Sequence, residues 1–149
     1  MMNYQVDKLE SSDLSQIMAI EQRVQHHPWN ESLLQQSFNH LSYNLALRGK
    51  ESDLLGYLFC RVVVDEGELL NISIDRNLQH QGWGGHLLRS LIIRLKMQGI
   101  HRIMLEVRAS NQPALRLYKR LGFNLDGVRK NYYPSGDTRE DALLMSRIL

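Results

Sequence analysis

The spacing of apolar residues changes period several times along the chain, and each change marks an element. Residues 4–9 alternate through Tyr4 and Val6 toward Leu9, as in a short half-buried strand. Leu14, Ile17, Met18 and Val24 then share one side of a helix starting near Asp13, with Ser11 or Ser12 available as N-cap. Asn30 can cap a second helix carrying Leu33, Leu34, Phe38 and Leu41. Three strand-like runs follow: YNLALR (43–48), LLGYLFCRVVV (54–64) and ELLNISID (68–75). Short links around Gly49–Asp53 and Asp65–Gly67 predict an antiparallel meander. Leu87, Leu88, Leu91, Ile92 and Leu95 form the stripe of an amphipathic helix that Gly99 ends. HRIMLEV (101–107) reads as a buried strand. In SNQPALRLYKRLGF (110–123), Asn111 can cap a helix, Pro113 suits its first turn and Gly122 its C-terminus. Two final strands flank the loop NYYPSGD (131–137). The order β, αα, βββ, α, β, α, ββ predicts an α+β domain, a mainly antiparallel sheet with helices packed on it.

One feature resists a purely structural reading. QHQGWGG (79–85) places Gly82, Gly84 and Gly85 directly before the best helix of the chain, although glycine costs a helix about 1 kcal/mol relative to alanine. A glycine turn leaves the first helical N–H groups uncovered, and the helix dipole adds partial positive charge there. That combination binds anions without a lysine, and the missing Cβ lets a phosphate reach the backbone. A plain tight turn is the alternative. Neither GxxxxGK[ST] nor GxGxxG within a parallel βαβ unit is present. Arg89, Arg94 and Lys96 fall off the apolar stripe and read as a solvated face.

Composition narrows the classes. The 149 residues suit one domain, 1–149, and 43% hydrophobic with 23% charged residues is ordinary for a globular protein. A net charge of +2 does not suggest a dedicated nucleic-acid binder. No apolar run approaches the roughly 18 residues of a membrane span, and the polar N-terminus lacks an apolar signal core. The lone Cys60, in a β-rich run, reads as a core residue and fits a reducing, cytoplasmic setting. The six scattered histidines lack metal-site spacing, so no metal is expected.

QHQGWG matches the Q/R-x-x-G-x-G/A signature of the GNAT family of N-acetyltransferases. It follows the strand NISID and precedes an amphipathic helix, as in that family. LEVRASNQPALRLYKRLGF matches the next strand and helix, including Asn-x-x-Ala and the LY..LGF ending. The resemblance covers essentially the whole chain. IEQRVQHHPW, LEVRASN, NYYP and REDALLM resemble the branch that acetylates the N-terminal alanine of a small-subunit ribosomal protein.

The resemblance implies a mixed, V-shaped sheet that splays between its fourth and fifth strands and admits acetyl-CoA. It implies that backbone groups around Ile72, Ser73 and Ile74 hold the pantetheine arm, one N–H polarising the thioester carbonyl. His80, Gln81, Gly82, Trp83, Gly84 and Gly85 would meet the pyrophosphate. Asn111 would contact the coenzyme, cap its helix, or do both. His80 and Gly85 stand where the family often has arginine or lysine, which leaves more of the phosphate contact to backbone N–H groups. Glu106 matches the catalytic base and Tyr118 the acid that protonates the leaving thiolate. The structural alternatives are a Glu106 carboxylate paired with Arg108 or Arg102, and a Tyr118 ring packed among Leu115, Leu117 and Leu121. An ordinary glutamate, of pKa about 4.3, is a poor base for an ammonium, so a raised pKa or relay through ordered water is expected. The implied partner is the N-terminal peptide of a ribosomal protein, without direct nucleic-acid or membrane contact. Oligomeric state is left open, with a monomer preferred.

Overall fold

The computed structural model describes residues 4–149. The elements are β1 (Gln5–Lys8), α1 (Leu14–Val24), α2 (Glu31–Gln36), β2 (Leu45–Arg48), β3 (Leu54–Val63), β4 (Glu66–Ile74), α3 (Trp83–Met97), β5 (Arg102–Arg108), α4 (Gln112–Arg120), β6 (Asn124–Ser135) and β7 (Thr138–Ile148). They appear in the order that the apolar periods predict.

All seven strands form one sheet in the order β1-β2-β3-β4-β5-β7-β6. β1 to β4 pair antiparallel in sequence, the predicted meander, and β4–β5 is the parallel pair. Leu45, Leu47, Leu58, Leu69, Ile103, Leu105 and Val107 face α3 and α4, building the larger core. Ala46, Leu54, Tyr57 and Phe59 face α1 and α2, building the second core with Ile17, Ile20 and Leu34. Arg48 ties the first strand to the first helix by donating to Asp7 at 2.7 Å and Asp13 at 2.8 Å. Burial opposes ionisation of Asp13, but Arg48 and the Glu10 N–H together outweigh it and hold that carboxyl below the usual range.

The parallel pairing is short. β4 and β5 are joined only from Glu66–Arg102 to Leu69–Leu105. Beyond that point β4 stays on β3 as far as Ile74, and β5 stays on β7 as far as Arg108. The sheet therefore splits between its fourth and fifth strands, as the family resemblance implies. The physical cause lies beside the split. Phe59 pairs with Asn71 but Cys60 with Leu69, so β4 carries an extra residue there, and such a bulge bends the strand that holds it. It also shifts the alternation, turning Asn71 and Ser73 toward α1, and Ile72 and Ile74 toward α3.

Local details depart from the sequence expectations. Neither Ser11 nor Ser12 caps α1. Those residues enter a 3₁₀ turn with Asp13, whose carboxylate accepts from the Glu10 N–H at 2.8 Å. α2 stops at Gln36, so Phe38 and Leu41 lie beyond it, and Phe38 still packs edge-on against Phe59 at 5.5 Å. The β3–β4 hairpin turns at Val64–Asp65, one residue earlier than expected, with Val64 at φ 58°. The loop expected at 131–137 is largely strand: β6 runs to Ser135, and only Gly136 and Asp137 turn. A bulge between Arg129 and Tyr133, with Asn131 at φ 51°, breaks the alternation that would have revealed it. Cys60 is buried in β3, where burial pushes its thiol up to about 12. Among the described residues, no helix is long and apolar enough to cross a membrane.

Candidate active site

Once β5 leaves, β4 keeps an unpaired edge facing the split. The Ile72 carbonyl on that edge accepts from the Gln25 side chain at 3.3 Å, and the Ile74 carbonyl from Gln79 at 3.0 Å. Ser73, between them, is paired with Tyr57 of β3 and nearly inaccessible. Ile72 and Ile74 therefore present the backbone groups that a ligand lying along β4 would meet.

The glycine turn opens on the same split. Gly82 caps α3 in the left-handed region at φ 87°, and His80 is also left-handed at φ 62°. Gln81 is exposed and ties the turn to the Asn77 carbonyl at 3.1 Å. The first helical N–H groups, at Trp83, Gly84 and Gly85, have no acceptor within the helix. A Cβ on Gly84 would stand 3.8 Å from Ile74 and 3.6 Å from Leu117, and so project between β4 and α4. A Cβ on Gly85 would meet Leu117 and the Arg89 guanidinium at 3.6 Å. Arg89 thus lies along the first turn of α3 and is exposed, in keeping with the solvated face expected. The Trp83 ring packs edge-on against Tyr4 at 4.6 Å and His86 at 5.5 Å, its indole nitrogen buried without a partner among the described residues.

α4 forms the opposite wall. Asn111 accepts from the Ala114 N–H at 3.3 Å through its side-chain oxygen, which is the cap expected. Two turns on, Tyr118 is buried with its ring 5.8 Å from Phe123. Burial, with the neighbouring Tyr133 phenol, pushes its phenol above the usual range, and no hydrogen bond contributes.

Glu106 is one residue past the last β4–β5 pair. Leu105 and Val107 point into the core under α3 and α4, so Glu106 points to the other face. It pairs with neither Arg108 nor Arg102. Its partner is Arg129 of β6 at 3.4 Å, on the surface. Arg108 bonds Glu140 at 3.1 Å, and Arg102 lies between Glu66 and Asp126 at 3.8 and 3.9 Å. On β6, burial and then the Glu106 carboxylate push the Tyr133 phenol up, and the Arg108 guanidinium covers its ring at 4.4 Å. Nothing in the sequence marks Tyr133, which lies in a segment that reads as loop but folds as strand. Gln25 and Gln79 leave no periodic signal either.

The glycine turn and the free edge of β4 thus border one split, Glu106 lies on β5 one residue past the last β4–β5 pair, and the Tyr118 ring is buried in the core on α4. Among the described residues, no group of three His, Cys, Asp or Glu side chains gathers as a metal site would need.

Comparison with known proteins agrees with this geometry. Residues 11–123 match the model of the acetyltransferase (GNAT) family. The chain is 41% identical over 143 residues to the [ribosomal protein bS18]-alanine N-acetyltransferase of Escherichia coli K12, covering 95% of each chain. It is 37% identical over 142 residues to the enzyme of that name from Haemophilus influenzae, covering 95% of this chain and 96% of the relative. The crystal structure of the Escherichia coli ribosomal-protein-S18-alanine N-acetyltransferase superimposes with a TM-score of 0.92 at 39% identity, over 97% of this chain and 93% of that one. With its free β4 edge, its glycine-capped helix and these likenesses along nearly its whole length, the chain belongs to the GNAT family of acetyltransferases.

Proposed function

We propose that the chain transfers the acetyl group of acetyl-CoA to the N-terminal α-amine of a protein, the substrate being the alanine that begins small-subunit ribosomal protein bS18. It acts as one domain, in the cytoplasm. What supports this best is the free edge of β4 beside the glycine turn, with Glu106 on β5 one residue past the last β4–β5 pair.

In this reading the pantetheine arm lies along β4, where an N–H of Ile72 or Ile74 polarises the thioester carbonyl as an oxyanion donor does. The Gln25 and Gln79 amides that now cover the carbonyls give way to it. The pyrophosphate rests on the N–H groups from Trp83 to Gly85, with Gln81 and His80 beside it, and Asn111 meets the coenzyme from α4. An α-amine, with pKa near 8, is neutral in about one molecule in ten at pH 7, against fewer than one in a thousand for lysine at about 10.4. Glu106 takes the proton that the ammonium must lose. The amine nitrogen forms a bond to the carbonyl carbon, the carbon–sulfur bond breaks, and the thiolate receives a proton from Tyr118.

Two results are expected. In the first, peptides are offered with acetyl-CoA and read by mass spectrometry. An N-terminal alanine peptide gains one acetyl group on its α-amine, and the N-blocked copy gains none. Equally fast acetylation of a lysine peptide would overturn the substrate reading while leaving the family untouched. In the second, Gly84→Asp weakens acetyl-CoA binding in calorimetry. Ordinary van der Waals space surrounds a Cβ at Gly84, so the variant folds, but a carboxylate then stands in the groove where phosphate must approach. Unchanged affinity would remove the glycine turn from the coenzyme site.

A further inference from the structure

One carboxylate is buried on the face of the sheet away from the coenzyme groove, and the mechanism above does not use it. Glu21, on the last turns of α1, is 1% exposed. Its oxygens accept from the Asn71 side-chain amide at 3.1 and 3.2 Å, the Tyr57 hydroxyl at 2.5 Å and the Trp29 backbone N–H at 2.9 Å. No lysine, arginine or histidine pairs with it among the described residues. A buried carboxylate is costly to desolvate and persists only where hydrogen bonds satisfy it. Of the three donors, Asn71 is the one that regular strand alternation would have turned away.

Leu69 pairs with Cys60, and both lie in the core under α3. Side chains two apart on a strand share a face, so unbroken alternation would turn Asn71 and Ser73 into that same core. It would also turn Ile72 and Ile74 toward α1. The extra residue, Leu70, reverses this. Asn71 pairs with Phe59 and Ser73 with Tyr57, and both partners face α1. The two registers differ by one residue, and such a slip exchanges every following side chain between the faces. Polar partners decide between them. On the α1 face Glu21 receives the Asn71 amide, and Gln25 donates to the Ser73 hydroxyl at 2.6 Å. The core under α3 is built of leucines, isoleucines and aromatic rings, where a buried amide would lose its partner at a cost. The choice of register reaches the split. The bulge bends β4, pairing with β5 ends at Leu69–Leu105, and the backbone of Ile72 and Ile74 is left facing the gap.

We infer that Glu21 is a positioning residue for the coenzyme: by receiving Asn71 it holds β4 in the bulged register that frees the edge at Ile72 and Ile74. The inference rests on reading that edge as the acetyl-CoA site. Glu21→Gln keeps the volume but sets an amide donor against the Asn71 and Trp29 donors. Asn71→Asp sets a second carboxylate against Glu21. The two changes together restore a donor–acceptor pair. The new glutamine amide donates to the new aspartate, its oxygen accepts from Trp29, and the Tyr57 hydroxyl turns to accept. Each single change is expected to raise the acetyl-CoA Kd roughly tenfold in calorimetry, as when the binding register falls to about one-tenth occupancy. Amide exchange at Leu70 and Asn71, read by NMR, is expected to quicken. The double change is expected to bring Kd back to within about threefold of wild type, because the two sites act as one coupled pair. Ile17→Val, in the same core but outside this network, lowers Tm and is expected to leave Kd unchanged. An unchanged Kd in folded Glu21→Gln would overturn the inference. So would a double variant binding as weakly as the single ones, or Ile17→Val weakening binding as much. If Glu21→Gln does not fold, Asn71→Ala removes the contact from the strand side, leaves Tyr57 and Trp29 on Glu21, and gives the same comparison. If wild type does not bind acetyl-CoA, the reading of the edge fails and the coenzyme role of Glu21 falls with it. Exchange at Leu70 and Asn71 that stays unchanged in Glu21→Gln would separately overturn its hold on the bulge.

Discussion

Glu106→Gln is expected to lower kcat by roughly 10²–10⁴-fold at pH 7, the usual contribution of a general base. The substitution is a clean one at this position. The Glu106 side chain is about one-third exposed and pairs only with the half-exposed Arg129, so losing the charge costs at most about 1 kcal/mol of stability. Glutamine keeps the size and an oxygen for Arg129, and loses only the ability to take a proton. Acetyl-CoA affinity should hardly move, because the carboxylate stands on the sheet face away from the coenzyme groove. The pH dependence carries a definite sign. The free α-amine deprotonates as pH rises toward 8, so the residual rate of the variant climbs with pH while the wild-type advantage shrinks. Steady-state kinetics across pH 6 to 9 read both effects. A variant within about twofold of wild type at pH 7 would sink the assignment, since the expected loss is far larger.

The same side chain shows how far sequence reaches. Its strand was legible because Ile103, Leu105 and Val107 repeat every second residue, and that period alone turns Glu106 away from the core. Its partner was not legible. The nearest arginines along the chain, Arg102 and Arg108, lie on its own strand, whereas Arg129 comes from β6, two strands away in the sheet order. A pairing of that kind depends on sheet order and on the bulges of β6, and neither leaves a period in the sequence. The glycine turn was legible for the opposite reason. It is largely local: the left-handed φ at Gly82 and the free N–H groups follow from seven consecutive residues, whereas Ile74 and Leu117 supply the walls around Gly84. The split of the sheet stands between these cases. Its place was implied only by family resemblance, since the cause is one extra residue between Leu69 and Asn71 that reads as ordinary strand. Within IEQRVQHHPW no sequence pattern marks Glu21, whose buried carboxylate accepts from Trp29, Tyr57 and Asn71 only once the meander brings the last two to it.

Tyr118→Phe is expected to lower kcat by a similar roughly 10²–10⁴-fold, yet with a different signature in pH. The phenol is buried, and burial together with Tyr133 pushes its pKa above the usual value of about 10. The acidic form is therefore fully populated throughout pH 6 to 9, and its contribution does not titrate away in that range. Loss of the O–H should thus persist undiminished as pH rises, because the thiolate still departs without a proton donor while the amine deprotonates unaided. The fold should tolerate the change well. The ring keeps its contacts with Phe123 and the surrounding leucines, and no protein hydrogen bond to the hydroxyl is lost that would leave a buried partner unpaired. Ground-state binding of acetyl-CoA should stay within a small factor, since a proton donor to the leaving sulfur acts in the transition state. The decisive comparison uses acyl donors whose leaving thiols differ in acidity. A more acidic thiol needs less help to depart, so the deficit of Tyr118→Phe should shrink with such a donor while that of Glu106→Gln does not. An equal deficit with both donors would assign Tyr118 to packing, and the proton on the sulfur would then come from solvent.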